Sequence, residues 1–288
     1  MLPYAKFFEF QGRDMKILQY YDDGRTRLGL VEGDNVFPVD FSGDMVDFIS
    51  ETPEIVRKEP PVSLDKIDFA PALTTPSKII CVGLNYLAHI RESPGEVPEN
   101  PVLFSKFTTS LLAHKKHITW NTNLTKKVDF EAELAIVIGR TSYNCTSEEM
   151  MKNVFGYTCA NDVSARDLQF ADGQWLRGKS LDTFCPLGPW IVTGDEIKDP
   201  NSLSITCRLN DQVMQDSNTG LMIFKVPELL SFISRAFTLF PGDVILTGTP
   251  DGVGTFREPS IYMKAGDRVT VEIERIGRLE NYCRTVTL

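Results

Sequence analysis

Glu131 and Glu133 stand two residues apart in the run Asp129-Phe130-Glu131-Ala132-Glu133-Leu134-Ala135-Ile136-Val137-Ile138-Gly139. Phe130, Ala132, Leu134, Ile136 and Ile138 alternate through it. That is the period-2 pattern of a half-buried strand, and it turns both glutamates to the opposite face with Ala135 and Val137. Two residues along a strand is roughly 6.6 Å, close enough for both side chains to close on one ion. Two like charges on a half-apolar face repel and resist burial unless something positive lies between them. A divalent cation is one answer to that conflict; a solvent-facing strand with glutamates at its outward positions is the other.

A third carboxylate comes from the stretch Asn161-Asp162-Val163-Ser164-Ala165-Arg166-Asp167-Leu168-Gln169. Residues 155–162 read as a strand and 164–169 have helical character. Asp162 thus lies where a strand hands over to a turn, a frequent place for site residues and equally for a helix N-cap. Arg166 and Gln169 share one face of the following turn. Glu131, Glu133 and Asp162 bring no cysteine or histidine with them. An all-oxygen set suits a hard ion, Mg²⁺ first, with Mn²⁺ or Ca²⁺ possible, and leaves positions for water or a chelating substrate.

His89 and Glu92 are three apart in a predicted short helix over 85–92. They fall on one face of it, either as a pair with chemistry or as a solvated surface histidine with its neighbour. The Pro/Gly segment Ser93-Pro94-Gly95-Glu96-Val97-Pro98 must break that helix, an arrangement suited to a mobile lid. The remaining histidines, His114 and His117, have no cysteine or histidine spaced to complete a zinc site. The residues around them read as a solvated basic loop before a strand.

These residues must be carried by a scaffold that is mostly strands. Residues 15–39 read as three short strands joined by Asp22-Asp23-Gly24 and Gly33-Asp34-Asn35, with a short helix over 44–50. Pro60, Pro61, Pro71 and Pro76 punctuate the next stretch of chain, which puts a junction in 70–77. The expectation is a small N-terminal β-rich domain over 1–72 and a catalytic domain over 73–288. Within the latter, 78–83 is a continuous apolar run and reads as a buried strand. Residues 178–189 read as loop, with a strand resuming at Trp190. Asn210-Asp211 joins a hairpin, and 227–237 is an amphipathic helix with Leu229, Leu230, Ile233, Ala236 and Phe237 on one face. The segment Gly248-Thr249-Pro250-Asp251-Gly252-Val253-Gly254 lacks the Gly-Lys-Ser/Thr ending of a P-loop; its glycines suit close approach to a small ligand.

The formal net charge of -9 argues against nucleic acid or an anionic membrane as partner, and leaves room for small anionic substrates where positive charge is concentrated locally. No apolar run reaches the roughly 18 residues of a membrane helix, and residues 1–10 carry no leader pattern. The six cysteines form no C-x-x-C pair and mostly sit in apolar runs, as buried thiols in a reducing compartment do. A cytoplasmic protein is expected.

Seven ordered segments together resemble the fumarylacetoacetate hydrolase family. They are Val82-Gly83-Leu84-Asn85-Tyr86, His89 with Glu92, Phe104-Ser105-Lys106, Phe130-Glu131-Ala132-Glu133-Leu134, the 161–169 stretch, Gly178-Lys179-Ser180 and Leu246-Thr247 leading into the 248–254 segment. The resemblance covers about 78–288. It implies an α+β, mostly β fold, a mixed β-sandwich roll with the small N-terminal domain, assembled as a homodimer around a Mg²⁺ or Mn²⁺ site. By position, Glu131, Glu133 and Asp162 match the metal ligands. His89 and Glu92 match the lid dyad that activates water in hydrolytic members. Arg166, Gln169, Lys179 and Thr249 match residues that hold the keto-acid end of the substrate. Lys106 is a weaker match, since relatives have proline after that lysine where this chain has Phe107.

The resemblance implies a metal-dependent hydrolase that cleaves a C–C bond in a β-diketo acid of the acylpyruvate type, releasing pyruvate or a related 2-oxo acid. In that reading His89 takes a proton from water and Lys179 with the metal stabilises the enolate. Oxaloacetate decarboxylation would form the same enolate without water. Isomerisation of a 2-hydroxyhepta-2,4-diene-1,7-dioate-like dioate would need proton shuttling alone. A metal-binding module without activity is the reading from another class, and it would have no use for the His89 and Glu92 pair.

Overall fold

The computed structural model describes residues 15–287, so the 1–10 segment read above for a leader lies outside the described residues. In chain order the elements that matter here are β1 (Lys16–Asp22), β2 (Arg25–Glu32), β3 (Asn35–Pro38), α1 (Met45–Glu51), β4 (Ile79–Gly83), α2 (Leu87–Glu92), β5 (Val102–Lys106), β6 (His117–Asn121), β7 (Ala132–Ile138), β8 (Val154–Asn161), α3 (Arg166–Ala171), α4 (Leu176–Lys179), β9 (Cys185–Thr193), β10 (Ser204–Leu209), β11 (Gln212–Asn218), α5 (Val226–Ala236), β12 (Val244–Leu246), β13 (Arg268–Ile273) and β14 (Gly277–Val286). The architecture is the mostly β, α+β fold expected. One large mixed sheet runs β3-β2-β1-β9-β8-β7-β12-β4-β5, and a five-stranded sheet runs β11-β10-β13-β14-β6. The N-terminal meander is hydrogen-bonded into the large sheet, with Lys16 opposite Val192 and Ile17 opposite Ile191.

β7 is the centre of the molecule. The expectation of a half-buried strand is corrected here: every residue from Ala132 to Ile138 is buried. Phe130, Ala132, Leu134, Ile136 and Ile138 join the core against the five-stranded sheet. Ala135 and Val137 join a second core on the other face, with Ile79, Leu246 and the Met45, Phe48 and Ile49 side chains of α1. The continuous apolar run 134–138 is what a strand covered on both faces requires.

Pairing then decides where the chemistry sits. β7 is antiparallel to β8, with Ala132 opposite Asn161, and to β12, with Ala135 opposite Leu246. β12 is parallel to β4. The start of β7 and the ends of β8, β12 and β4 therefore meet at one end of the sheet. That brings together Glu131, Glu133, Asp162, Gly248 and Gly83.

Two further expectations change. Residues 185–189 belong to β9 rather than a loop, although they include Pro186 and Pro189. Their ladder with β8 shifts register between Tyr157 and Cys159, and such an irregularity accommodates residues that cannot donate. Phe237 falls just past α5 and is 46% exposed, while Leu229, Leu230 and Ile233 hold the buried face. The six cysteines are free thiols, five of them buried. Among the described residues no helix is long and apolar enough to cross a membrane.

The loop at His114 is not simply solvated. The His114 ring meets Phe69 edge-on at 4.7 Å, and its Nδ1 accepts the Glu280 backbone N–H at 3.0 Å. Burial, with Lys115 adding its charge, pulls this imidazole down to about 4 from an ordinary 6.5. The unfolded chain then binds a proton before the folded one as pH falls, so stability should be lost between pH 6.5 and 4. At pH 5 the loss is about 2 kcal/mol. Urea midpoints at pH 7 and pH 5 for the wild type and His114→Asn check this. The variant, which keeps an acceptor without a titrating ring, should lose less; equal losses would remove the assignment.

Candidate active site

Carboxylate oxygens of Glu131, Glu133 and Asp162 all lie within 4.8 Å of one another, and all three residues are buried. Their placement is a backbone matter. The Asp162 N–H donates to the Glu131 carbonyl at 2.9 Å, and the Asn161 side chain accepts the Glu131 N–H at 2.9 Å. Glu133 Oε2 accepts the Gly248 N–H at 2.7 Å.

Three cations close around two of these carboxylates. Lys179 Nζ lies 2.7 Å from Glu131 Oε2 and 2.8 Å from Asp162 Oδ2. Lys106 Nζ lies 2.5 Å from Asp162 Oδ1 and also donates to the Val163 carbonyl. Arg166 Nη1 lies 2.8 Å from Glu131 Oε1. Burial would raise the Glu131 carboxyl, yet Lys179 and then Arg166 hold it below the usual carboxylate range. Glu133 goes the other way: burial first, then Asp162 and Glu131, push its carboxyl well up. Among the described residues no lysine or arginine pairs with Glu133. A hard divalent cation fits this set, since the donors are all oxygen and one buried carboxylate lacks a positive partner.

Above the carboxylates lies a cavity of about 230 Å³ lined by His89, Glu131, Glu133, Arg166, Gln169, Lys179 and Thr249 among others. It falls below the roughly 300–1,000 Å³ of sites for drug-sized ligands, so its occupant is small. His89 is buried, and its Nδ1 lies 2.7 Å from Glu92 Oε1. Glu92 as a carboxylate accepts from a protonated Nδ1, and in the neutral form of that ring Nε2 is the basic nitrogen. Gln215 Nε2 donates to Thr249 Oγ1 at 2.8 Å, which frees the Thr249 hydroxyl proton for a ligand. Arg166 Nη2 is buried with no hydrogen-bond partner. An unsatisfied buried guanidinium N–H is costly, and a ligand carboxylate would satisfy it.

Of the residues singled out from the sequence, His89, Glu131, Glu133, Arg166, Gln169, Lys179 and Thr249 line one cavity. Glu92 supports His89 from behind it. Asp162 and Lys106 sit beneath, Lys106 holding Asp162 rather than lining the space. Two residues escape sequence reasoning. Asp129 accepts from Arg166 Nε at 2.9 Å and from the Gly254 and Thr255 N–H groups, and so aims the guanidinium. Gln215 orients Thr249 and accepts the Ala132 N–H. Arg166 is 37 residues from Asp129 and Thr249 is 34 from Gln215, so neither position signals its site partner locally.

The second oxygen of Glu92 accepts the Gly252 N–H at 2.9 Å, tying α2 to the 248–254 segment. Gly252 has φ +96°, and a Cβ there would stand 2.2 Å from the Met214 carbonyl oxygen. Gly252→Ala should therefore displace this amide and strain the loop by about 1–3 kcal/mol. The measurable sign is loss of the hydrogen-bonded His89 Nδ1 proton in ¹⁵N–¹H spectra; an unshifted proton would count against the tether.

A family model described as fumarylacetoacetate (FAA) hydrolase C-terminal matches residues 78–284. A mitochondrial oxaloacetate tautomerase of Bos taurus is 41% identical over 297 residues, covering 96% of this chain and 94% of that protein. A solved fumarylacetoacetate hydrolase from Exiguobacterium antarcticum superposes with a TM-score of 0.87 at 38% identity, over 94% of this chain and all of that one (100%). A 2-hydroxyhepta-2,4-diene-1,7-dioate isomerase from Mycobacterium marinum superposes with a TM-score of 0.79 at 34% identity, over 94% of this chain and 98% of that one.

Proposed function

Because the chain belongs to the fumarylacetoacetate hydrolase family, we propose that it is an enzyme that moves a proton between carbon and oxygen of a small 2-oxo acid. Keto–enol tautomerisation of an oxaloacetate-type acid is the first form of that reaction. Double-bond isomerisation of a related dioate is the second. One observation carries the reading: a carboxylate-backed histidine faces the same small cavity as a buried, incompletely satisfied guanidinium. The names of the Bos taurus and Mycobacterium marinum relatives support it.

In this reading Arg166 Nη2 takes a substrate carboxylate and the Thr249 hydroxyl donates to an oxygen beside it. His89 Nε2 accepts the proton that leaves one atom of the enol system and returns a proton to the other, so substrate and product are isomers. Glu92 keeps the Nδ1 proton in place and stabilises the ring while it is charged. Lys179 and Arg166 lower the energy of the enolate through positive charge fixed before the reaction begins. When bound by Glu131, Glu133 and Asp162, a divalent cation, Mg²⁺ or Mn²⁺, supplies further positive charge that draws electron density from a 2-oxo acid.

The test tracks the decay of enol-oxaloacetate in Mg²⁺ and in EDTA, with pyruvate assayed in parallel from oxaloacetate and acetylpyruvate. Metal-dependent enol decay without pyruvate is the expected result. Pyruvate from oxaloacetate would make the enzyme a decarboxylase. Pyruvate from acetylpyruvate would restore the hydrolase, a second reading favoured by the Exiguobacterium antarcticum likeness, because the same dyad can deprotonate water. No change in any arm would remove the proposal.

The family also suggests a homodimer, which light scattering of the purified chain checks. A reducing compartment suits the six free thiols. The cytoplasm and the mitochondrial matrix both provide one.

A further inference from the structure

Residues 247–256, which follow β12, form neither helix nor strand. Their buried backbone groups must still be paired, and side chains of the site supply the partners. On the charged floor of the cavity, Glu133 Oε2 accepts the Gly248 N–H at 2.7 Å. Behind His89, Glu92 Oε2 accepts the Gly252 N–H at 2.9 Å. At the far end, Asp129 accepts the Gly254 N–H at 2.8 Å and the Thr255 N–H at 3.0 Å. Gln215 donates to the Pro250 carbonyl at 2.8 Å. Arg257 Nε donates to the Gly252 carbonyl at 3.0 Å, and the same guanidinium reaches the Met214 carbonyl of β11. One irregular stretch of backbone is thus gripped by the carboxylate floor, by the partner of the histidine and by the partner of the guanidinium.

Asp129 is where this stretch meets Arg166. Its side chain is buried and takes four donors, two on each oxygen. Oδ1 accepts from the Phe130 and Gly254 N–H groups, and Oδ2 accepts from Arg166 Nε and the Thr255 N–H. Each oxygen therefore ties the segment to something else, the start of β7 in one case and the guanidinium in the other. A carboxylate can accept on both oxygens and an amide cannot. The close approach also requires Gly254, where a Cβ would stand 2.7 Å from Asp129 Oδ1 and 1.8 Å from the Ile261 carbonyl oxygen. Gly252 precedes Gly254 by one short step of chain, and its amide is the one that Glu92 holds. A displacement at Gly254 therefore reaches Glu92, and through it His89 Nδ1 at 2.7 Å.

We propose that Asp129 is a positioning residue for His89 as well as for Arg166, acting on the histidine through the 252–255 backbone and Glu92. Its effect on turnover rests on the proton-transfer reading; its effect on the place of the histidine does not, and is read separately. In Asp129→Asn the amide nitrogen must face two N–H groups, either those of Phe130 and Gly254 or those of Arg166 and Thr255. The segment loses one of its two bonds in both orientations. ¹⁵N–¹H spectra of the folded, substrate-free variant should show the His89 Nδ1 proton lost or shifted from its wild-type position. Its kcat for enol decay should fall roughly ten- to a hundred-fold, the scale of a misplacement of about 1 Å. A residue that only aims Arg166 would raise KM and leave kcat and the His89 proton where they are, which overturns the inference. A lower thermal midpoint with an unmoved His89 proton in the folded variant overturns it too, because that is a packing defect alone. Arg257→Gln releases the same Gly252 from its other side and carries the test where Asp129→Asn does not fold. It should shift the His89 proton and lower kcat with KM unchanged; an unmoved proton there overturns transmission through the backbone. A His89 proton that moves as described, in a protein whose wild type does not speed enol decay, would overturn the reaction and leave the positioning role standing.

Discussion

Replacing His89 with glutamine should lower the rate of enol–keto interconversion by roughly 10²–10⁴, the usual contribution of a positioned acid–base group. The variant should keep its affinity for the acid, because Arg166 and Thr249, the groups proposed to hold it, are untouched. Its thermal midpoint should hardly move, since His89 gives up one hydrogen bond, to Glu92, at the edge of the fold. The measurement is enol decay over a range of substrate concentrations, with unfolding followed in the same preparation. A variant with wild-type turnover would take His89 out of the reaction and leave the floor cations as the whole of the chemistry. A variant that loses turnover only through weaker binding would make His89 a ligand-holding group.

Lys179→Met should lower stability markedly. Its ammonium stands between Glu131 Oε2 at 2.7 Å and Asp162 Oδ2 at 2.8 Å, and the residue is 2% exposed. Burial works against the charge, but Asp162 and Glu131 hold the ammonium protonated. Removing it leaves Glu131 with Arg166 and Asp162 with Lys106 but takes one positive charge out of a buried cluster. The loss reaches at most the cost of a broken buried pair, about 3–5 kcal/mol. In a domain of this size that limit is a fall of roughly 6–20 °C in the unfolding midpoint. Divalent cation should restore part of the loss, since it would supply the missing positive charge to the same oxygens. Differential scanning of wild type and variant in EDTA and in Mg²⁺ checks both points. An unchanged midpoint in EDTA would mean that Lys106 and Arg166 already satisfy the carboxylates.

How much of the molecule is legible in its sequence depends on the range of the interaction. The alternation from Phe130 to Ile138 correctly places Glu131 and Glu133 on one side of a strand. It misjudges the environment, because period-2 spacing says which residues share a face and not whether the far face is covered. Ala135 and Val137 carry that information as part of an unbroken apolar run, and the second core behind them is assembled from α1, β4 and β12, all distant in sequence. The carboxylate floor is legible in short motifs, yet its compactness comes from the β7 and β8 register, which sets Ala132 opposite Asn161. Pro186 and Pro189 read as loop for a sound local reason; the register shift that admits them is a property of the paired strand. Lys106 can be singled out by its neighbours, but that it grips Asp162 from beneath the cavity depends on packing alone.

The bond between the Gly252 amide and Glu92 makes that amide a reporter. Glu92 holds His89 with its other oxygen, so the Gly252 proton is shielded from water only while α2 is docked against the 248–254 segment. Its deuterium uptake therefore measures the free energy of undocking the histidine, separately from global unfolding. Amides in the middle of β7, inside the large sheet and between two cores, should exchange only with global opening. The difference in uptake between those amides and Gly252 would give the fraction of time the site is assembled. A ligand that needs the histidine in place should slow exchange at Gly252 and leave β7 unaltered.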